Sequence, residues 1–193
     1  MVAEKVATKL TERFEKAVVY AIQLHSLQVR KQRDIPYATH LLSVSSLVLE
    51  DEGDEDEAIA ALLHDAIEDQ GGLETRKVIL EYFGERVTAI IDGCTEEIVK
   101  HQSHWRDRKL NYLEKIRTGS TSSRRVALAD KLHNSRSILM DKRQKGDVIW
   151  DKFGGQRSGT LWFYRAFLDI YKADNFPSIL VAELEQVILE LEK

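Results

Sequence analysis

The sequence of 193 residues has little proline, a single cysteine and no long apolar run. With only Pro36 and Pro177, there are few points at which helical hydrogen bonding has to stop. Cys94 has no partner for an intrachain disulfide, and one thiol cannot build a thiolate metal cluster. A reducing, cytoplasmic setting is therefore expected. No segment approaches the roughly 20 apolar residues that a spanning helix needs, and MVAEKVATKLTERFEK at the amino terminus interrupts its apolar residues with charge as a signal peptide does not. Membrane partnership is not expected. An excess of positive charge is also missing: the formal charge is −4, so no general attraction to nucleic acid or anionic lipid arises, and an anionic ligand needs a specific pocket.

What is present is an ordinary globular composition, 43% hydrophobic and 31% charged, in a length suited to one domain with a substantial core. The apolar residues recur mainly at helical spacing, without convincing strand alternation, so the expected class is all-α, with residues 1–193 as a single domain. Phe14, Val18, Ala21, Ile22, His25 and Val29 share one helical face. QRDIPY reads as a turn, a second helix begins near Thr39, and Asp54 with Glu57 has the spacing of a capping box for a third. That third helix is expected to run unbroken to Gly71-Gly72. TRKVILEYFG closes a further helix at Gly84, and ERVTAIIDGCTEEI forms the next, with Cys94 in the core. Ser122 or Ser123 is the expected cap for RRVALADKLHNSRSILM. The charged and glycine-bearing stretch 141–159 reads as a long loop of lid type, followed by two closing helices.

The third helix carries the chemistry. AALLHDAIEDQGG begins as a buried stripe and then places His64, Asp65, Glu68 and Asp69 within six positions. Helical spacing sets His64 beside Glu68 and Asp65 beside Asp69. Three carboxylates at the end of a buried helix repel one another and lose hydration, at several kcal/mol each if unpaired. A divalent cation resolves that conflict, and His with Asp and no Cys suits manganese, iron or zinc. Adjacent ligands cannot complete a coordination shell. His40 in PYATHLL and Asp130 in VALADKLHN, where an acid interrupts an apolar stripe, are the candidates to complete it. Taken singly, each reads as a satisfied core histidine or a surface acid; together with the His-Asp doublet they read as ligands.

These residues resemble a known family. His40, His64-Asp65 and Asp130, in that order on separate helices, are similar to the HD-domain metal-dependent phosphohydrolases. RKQRDIPYATH, ALLHDAIED and ALADKLHNSR resemble more closely the hydrolase domain of RelA/SpoT-type enzymes and the stand-alone small alarmone hydrolases, over a motif-bearing core of about 14–138. The resemblance implies a single helical HD domain that holds one manganese ion, Mn2+, through His40, His64, Asp65 and Asp130. It implies Glu68 and Asp69 as the residues that orient or activate water, and guanosine tetraphosphate or pentaphosphate as the substrate, cleaved to release its 3′-pyrophosphate. Arg30 and Lys31 match residues that contact the guanine and phosphates, and Asn134 one that holds the nucleoside. The length leaves no room for a synthetase domain, so hydrolysis without synthesis is expected.

On chemical grounds Glu68 is the first choice for accepting the water's proton, while Asp69 either holds the water or supports a histidine. Basic residues gather at Arg30-Lys31-Arg33, at Arg106-Arg108-Lys109 and at Lys152 with Arg157. Lys109 and Arg157 are thus expected beside the phosphates, although charge runs also serve simply to solvate a surface. Trp162, Phe163 and Tyr164 either stack on a base or fill the core. His25 reads as a buried, hydrogen-bonded residue, and His101, His104 and His133 as exposed. After Ile138 the resemblance thins, which leaves open another phosphorylated nucleotide (NADPH, or a nucleoside mono- or triphosphate) or a sensor that binds without turnover.

Overall fold

The computed structural model describes residues 8–30, 34–96 and 104–193. Its elements are α1 (Glu12–Leu24), α2 (Ala38–Glu50), α3 (Glu55–Leu63), α4 (Ala66–Asp69), α5 (Leu73–Cys94), α6 (Trp105–Thr118), α7 (Thr121–Lys145), a 3₁₀ helix (Gly146–Lys152), α8 (Gln156–Ala173) and α9 (Leu180–Glu192). Among the described residues the only β pairing is an isolated bridge between Val29 and Pro36. The all-α expectation is met.

The 25-residue α7 is the axis of the molecule and packs against α2, α3, α5, α9 and the 3₁₀ helix. Its run from Val126 to Asp130 is buried without interruption, so it behaves as an interior helix rather than an amphipathic surface one. In α3 the residues Ala58 to Leu63 are likewise all buried. The Asp54 carboxylate accepts from the Glu57 N–H and the Glu57 carboxylate from the Asp54 N–H, completing the expected capping box. At Gly84, φ 86° and ψ 176° bend α5 where the two segments were expected to separate. Only glycine occupies that backbone region readily.

Three expectations are corrected. The helix through AALLHDAIED is not continuous: α3 ends at Leu63, and α4 begins at Ala66. His64 Nδ1 lies 2.7 Å from the Ala61 carbonyl, the acceptor that an uninterrupted helix offers to the N–H of Asp65, so the side chain competes with the ladder at the break. The cap of α7 is Ser120, whose hydroxyl accepts from the Ser123 N–H, rather than Ser122 or Ser123. The stretch 141–159 is not a long loop. α7 extends to Lys145, the 3₁₀ helix buries Ile149 and Trp150, and α8 begins at Gln156. Two buried apolar residues in a charged segment outweighed its glycines.

Candidate metal centre

Four side chains from separate elements meet beside the axis of the bundle. His40 comes from the first turn of α2, His64 from the end of α3, Asp65 from the cap of α4 and Asp130 from the middle of α7. His64 Nε2 lies 3.1 Å from Asp65 Oδ2 and 3.7 Å from Asp130 Oδ1; His40 Nε2 lies 3.5 Å and 3.3 Å from the same two oxygens. Both histidines are buried, and neither Nε2 has a hydrogen-bond partner. Two buried imidazole nitrogens left open toward two carboxylate oxygens form a donor set that fits a divalent cation. All four sequence-derived ligands are thus brought together.

The surrounding bonds orient that set. His64 donates from Nδ1 to the Ala61 carbonyl, which leaves Nε2 as the atom turned toward Asp65 and Asp130. His40 Nδ1 lies 2.8 Å from His133 Nδ1. With the His40 proton on Nδ1, His133 accepts and His40 Nε2 is free to ligate. Burial, followed by the neighbouring His40 and Arg30, lowers the His133 pKa to about 4 and so keeps its acceptor nitrogen unprotonated. His133 was expected to be exposed; instead it is partly buried against His40, with ring centroids 4.8 Å apart. The Tyr37 hydroxyl donates to Asp65 Oδ2 at 2.6 Å, and Lys131 Nζ lies 2.5 Å from Asp130 Oδ2.

Charge follows the same layout. Burial alone would favour neutral groups throughout. Against it, the Asp65 and Asp130 carboxylates hold His64 well above its ordinary range. Lys131 and the two histidines hold Asp130 well below its range, and His64 and His40 do the same for Asp65. A divalent cation held there would displace the proton that the two carboxylates favour on His64.

A cleft of about 790 Å³ is lined by His64, Asp65 and Asp130, with His40 fully buried beside them. Glu68 and Asp69 stand exposed on its rim. The Glu68 carboxyl is raised to about 7, chiefly by burial of its surroundings and by the Asp65 charge, with Lys131 pulling the other way. Asp69 Oδ2 accepts from Gln28 Nε2 at 2.7 Å, and Gln28 in turn is held by His25, which is buried as expected. Because the helix breaks at His64, the expected stacking of His64 on Glu68 and of Asp65 on Asp69 within one helix is replaced by His64 and Asp65 at the cluster and two acids on the rim.

Among the other sequence candidates, Arg30 Nη2 donates to Asn134 Oδ1 at 2.7 Å, and Asn134 Nδ2 donates to Asp130 Oδ1, so both reach the cleft wall. Lys109 also lines the cleft and is paired with Glu96 at 2.5 Å. Lys31 lies outside the described residues. Arg157 is not brought to the site; it donates to the Glu192 carbonyl at the end of α9. Phe163 and Tyr164 are core residues whose surfaces also line the cleft, and Cys94 is partly buried against the core and lines the cleft too. Sequence reasoning missed Tyr37, Lys131, His133 and Gln28. His133 stands one helical turn beyond Asp130, which was the available signal. Lys131 follows the ligand directly, where a helix would send it about 100° away.

An HD-domain family model matches residues 17–161. The GTP pyrophosphokinase of Streptomyces coelicolor is 33% identical over 143 residues, which is 73% of this chain but 16% of that one. A Brucella ovis GTP pyrophosphokinase is 33% identical over 133 residues, 67% of this chain and 17% of its own. The chain thus spans only a small part of these curated relatives. A solved structure of a Listeria monocytogenes protein superposes with a TM-score of 0.70 at 26% identity, over 80% of this chain and 99% of that one. That of a metazoan ortholog of SpoT, described as hydrolysing ppGpp and acting in starvation responses, reaches 0.76 at 24% identity, over 95% and 97%.

Proposed function

Since the chain belongs to the HD-domain family, we propose that it is a manganese-dependent hydrolase of guanosine tetraphosphate or pentaphosphate that releases the 3′-pyrophosphate. The observation that carries this is the convergence of His40 Nε2, His64 Nε2, Asp65 Oδ2 and Asp130 Oδ1 at the base of a cleft that also holds Lys131, Lys109 and Arg30. A divalent cation held by those four residues would make a bound water acidic and polarise a phosphoryl oxygen.

The chain's own groups do the rest. Glu68, with its carboxyl near neutrality, is placed to take the proton of the attacking water. Asp69, steadied by Gln28, holds that water by a hydrogen bond. Lys131, Lys109 and Arg30 meet phosphate oxygens, and Asn134 holds the nucleoside. The bond between the 3′ oxygen and phosphorus breaks, the oxygen regains a proton, and pyrophosphate leaves with the hydroxyl from water. No helix among the described residues is long and apolar enough to cross a membrane.

The deciding experiment incubates metal-free protein, with and without manganese, with guanosine tetraphosphate, GTP and NADPH, and measures pyrophosphate and orthophosphate separately beside an Asp65→Ala control. Manganese-dependent pyrophosphate from guanosine tetraphosphate, lost in the control, is the expected result. Orthophosphate from NADPH, or cleavage of GTP, would move the substrate. Nucleotide binding without turnover would make the protein a sensor.

A further inference from the structure

Of the buried histidines among the described residues, His40 and His64 supply the candidate metal set and His25 does not. His25 caps the end of α1 and is 2% exposed, and its Nε2 is buried without a hydrogen-bond partner. An apolar ring would fill the same space without the penalty of an unpaired buried nitrogen. The reason for an imidazole here lies in Nδ1 and in the ring face.

His25 Nδ1 lies 2.6 Å from Gln28 Oε1, an oxygen that Gln70 Nε2 also approaches. Gln28 Nε2 donates to Asp69 Oδ2 at 2.7 Å. A carboxylate only accepts, so the Gln28 amide turns its NH2 toward Asp69 and its oxygen toward His25, which places the His25 proton on Nδ1. The direction of donation along the whole chain, from His25 to Gln28 to Asp69, is thereby set. The ring face has a different neighbour. It stacks on Tyr37, with centroids 5.4 Å apart at 16°. Tyr37 in turn donates to Asp65 Oδ2 and packs edge-on with His40, with centroids 5.5 Å apart at 70°. Both routes leave from one piece of backbone: the Tyr37 N–H donates to the Gln28 carbonyl at 2.9 Å, next to the bridge between Val29 and Pro36.

We infer that His25 is a positioning residue that braces both halves of the site, aiming Asp69 through Gln28 and holding Asp65 and His40 through Tyr37. The inference rests on the hydrolase reading for what Asp69 and the metal set do. It adds a single buried ring on which the water-holding group and the metal-holding groups both depend.

Two substitutions separate the two contacts. In H25N the side-chain amide nitrogen stands in for Nδ1 and keeps the bond to Gln28, but the ring beneath Tyr37 is gone. H25F keeps the ring and removes the donor. Each is checked for a cooperative thermal melt, then read by manganese calorimetry and by kcat and KM with guanosine tetraphosphate at saturating manganese. H25F should lower kcat on the order of tenfold to a hundredfold while manganese affinity holds. H25N should weaken manganese binding by about tenfold, in the direction of Y37F, with kcat at saturating manganese close to wild type. Adding Q28M to H25F should bring little further loss, since both cut the same chain. The same losses in both variants, a loss in one alone, or none in either overturns the double role. NMR of the imidazole nitrogens in the wild type reads the brace without any substitution: the proton is expected on Nδ1 of His25, and a ring protonated only on Nε2 would overturn the inference. A wild type that leaves guanosine tetraphosphate intact would sink the hydrolase reading alone, and the brace would then stand or fall on the His25 tautomer and on the manganese affinities of H25N and Y37F.

Discussion

Glu68 and His133 show how single side chains are set by their surroundings. Glu68 has a carboxyl raised to about 7 by burial of its surroundings and the Asp65 charge, and a base acts only when ionised. The rate should therefore climb with pH through its pKa. A cation among Asp65 and Asp130 adds positive charge and lowers that pKa, so the acidic limb of the loaded protein should fall below 7. Glu68→Gln should lower kcat by about 10²- to 10⁴-fold and remove the limb, with manganese affinity retained. A pH–rate profile with parallel calorimetry checks this, and a persisting limb would assign the base elsewhere. His133 is predicted to act through His40. Replacing it with Ala removes the acceptor for His40 Nδ1 and should weaken manganese binding by about 10- to 100-fold while the fold persists. Equal affinity in calorimetry would leave His133 as packing alone.

At the level of elements, helical periodicity sufficed for most of the chain because α1, α2 and α9 each bury one stripe. The capping box at Asp54 and the meeting of His40, His64, Asp65 and Asp130 were legible for a related reason: each needs particular residue types in a set order. What was not legible depended on contacts between distant segments. The break at His64 comes from a side chain taking a backbone acceptor, and the order in 141–159 comes from Ile149 and Trp150 finding the core. Arg157 was assigned to the cleft by charge alone, and charge does not say which carbonyl an arginine will meet. Gly84 is the clearest point at which sequence dictates an element. Its φ of 86° with ψ of 176° is available to glycine and strained for alanine, while a Cβ at this position would meet no atom within 4 Å. Gly84→Ala should therefore cost about 1–3 kcal/mol through the backbone alone. Urea unfolding should show a lower midpoint with an unchanged slope. A neutral result would mean that α5 straightens without loss.

Across the whole molecule, one buried cluster joins α2 and α3, which carry His40 and lead to His64, to the closing helix. Arg125 on α7 meets Asp51 at 3.0 Å and Glu57 at 2.8 Å, and Asp51 also accepts from the Ser178 hydroxyl and the Ile179 N–H at the start of α9. The side chains of Asp51 and Glu57 are 2% and 5% exposed, so removing the arginine strands two carboxylates away from water. Breaking a buried pair costs about 3–5 kcal/mol, most of it from the uncompensated charge left behind. Arg125→Met should fall in that range, since the methionine keeps much of the volume but none of the charge. If stranded charge is the cause, adding Asp51→Asn and Glu57→Gln should recover a large part of the loss despite making three changes instead of one. Denaturant melts of the single and triple variants measure this directly. A triple variant less stable than the single one would show that Asp51 matters for its bonds to Ser178 and Ile179, and that α9 is held by those bonds more than by the ion pair.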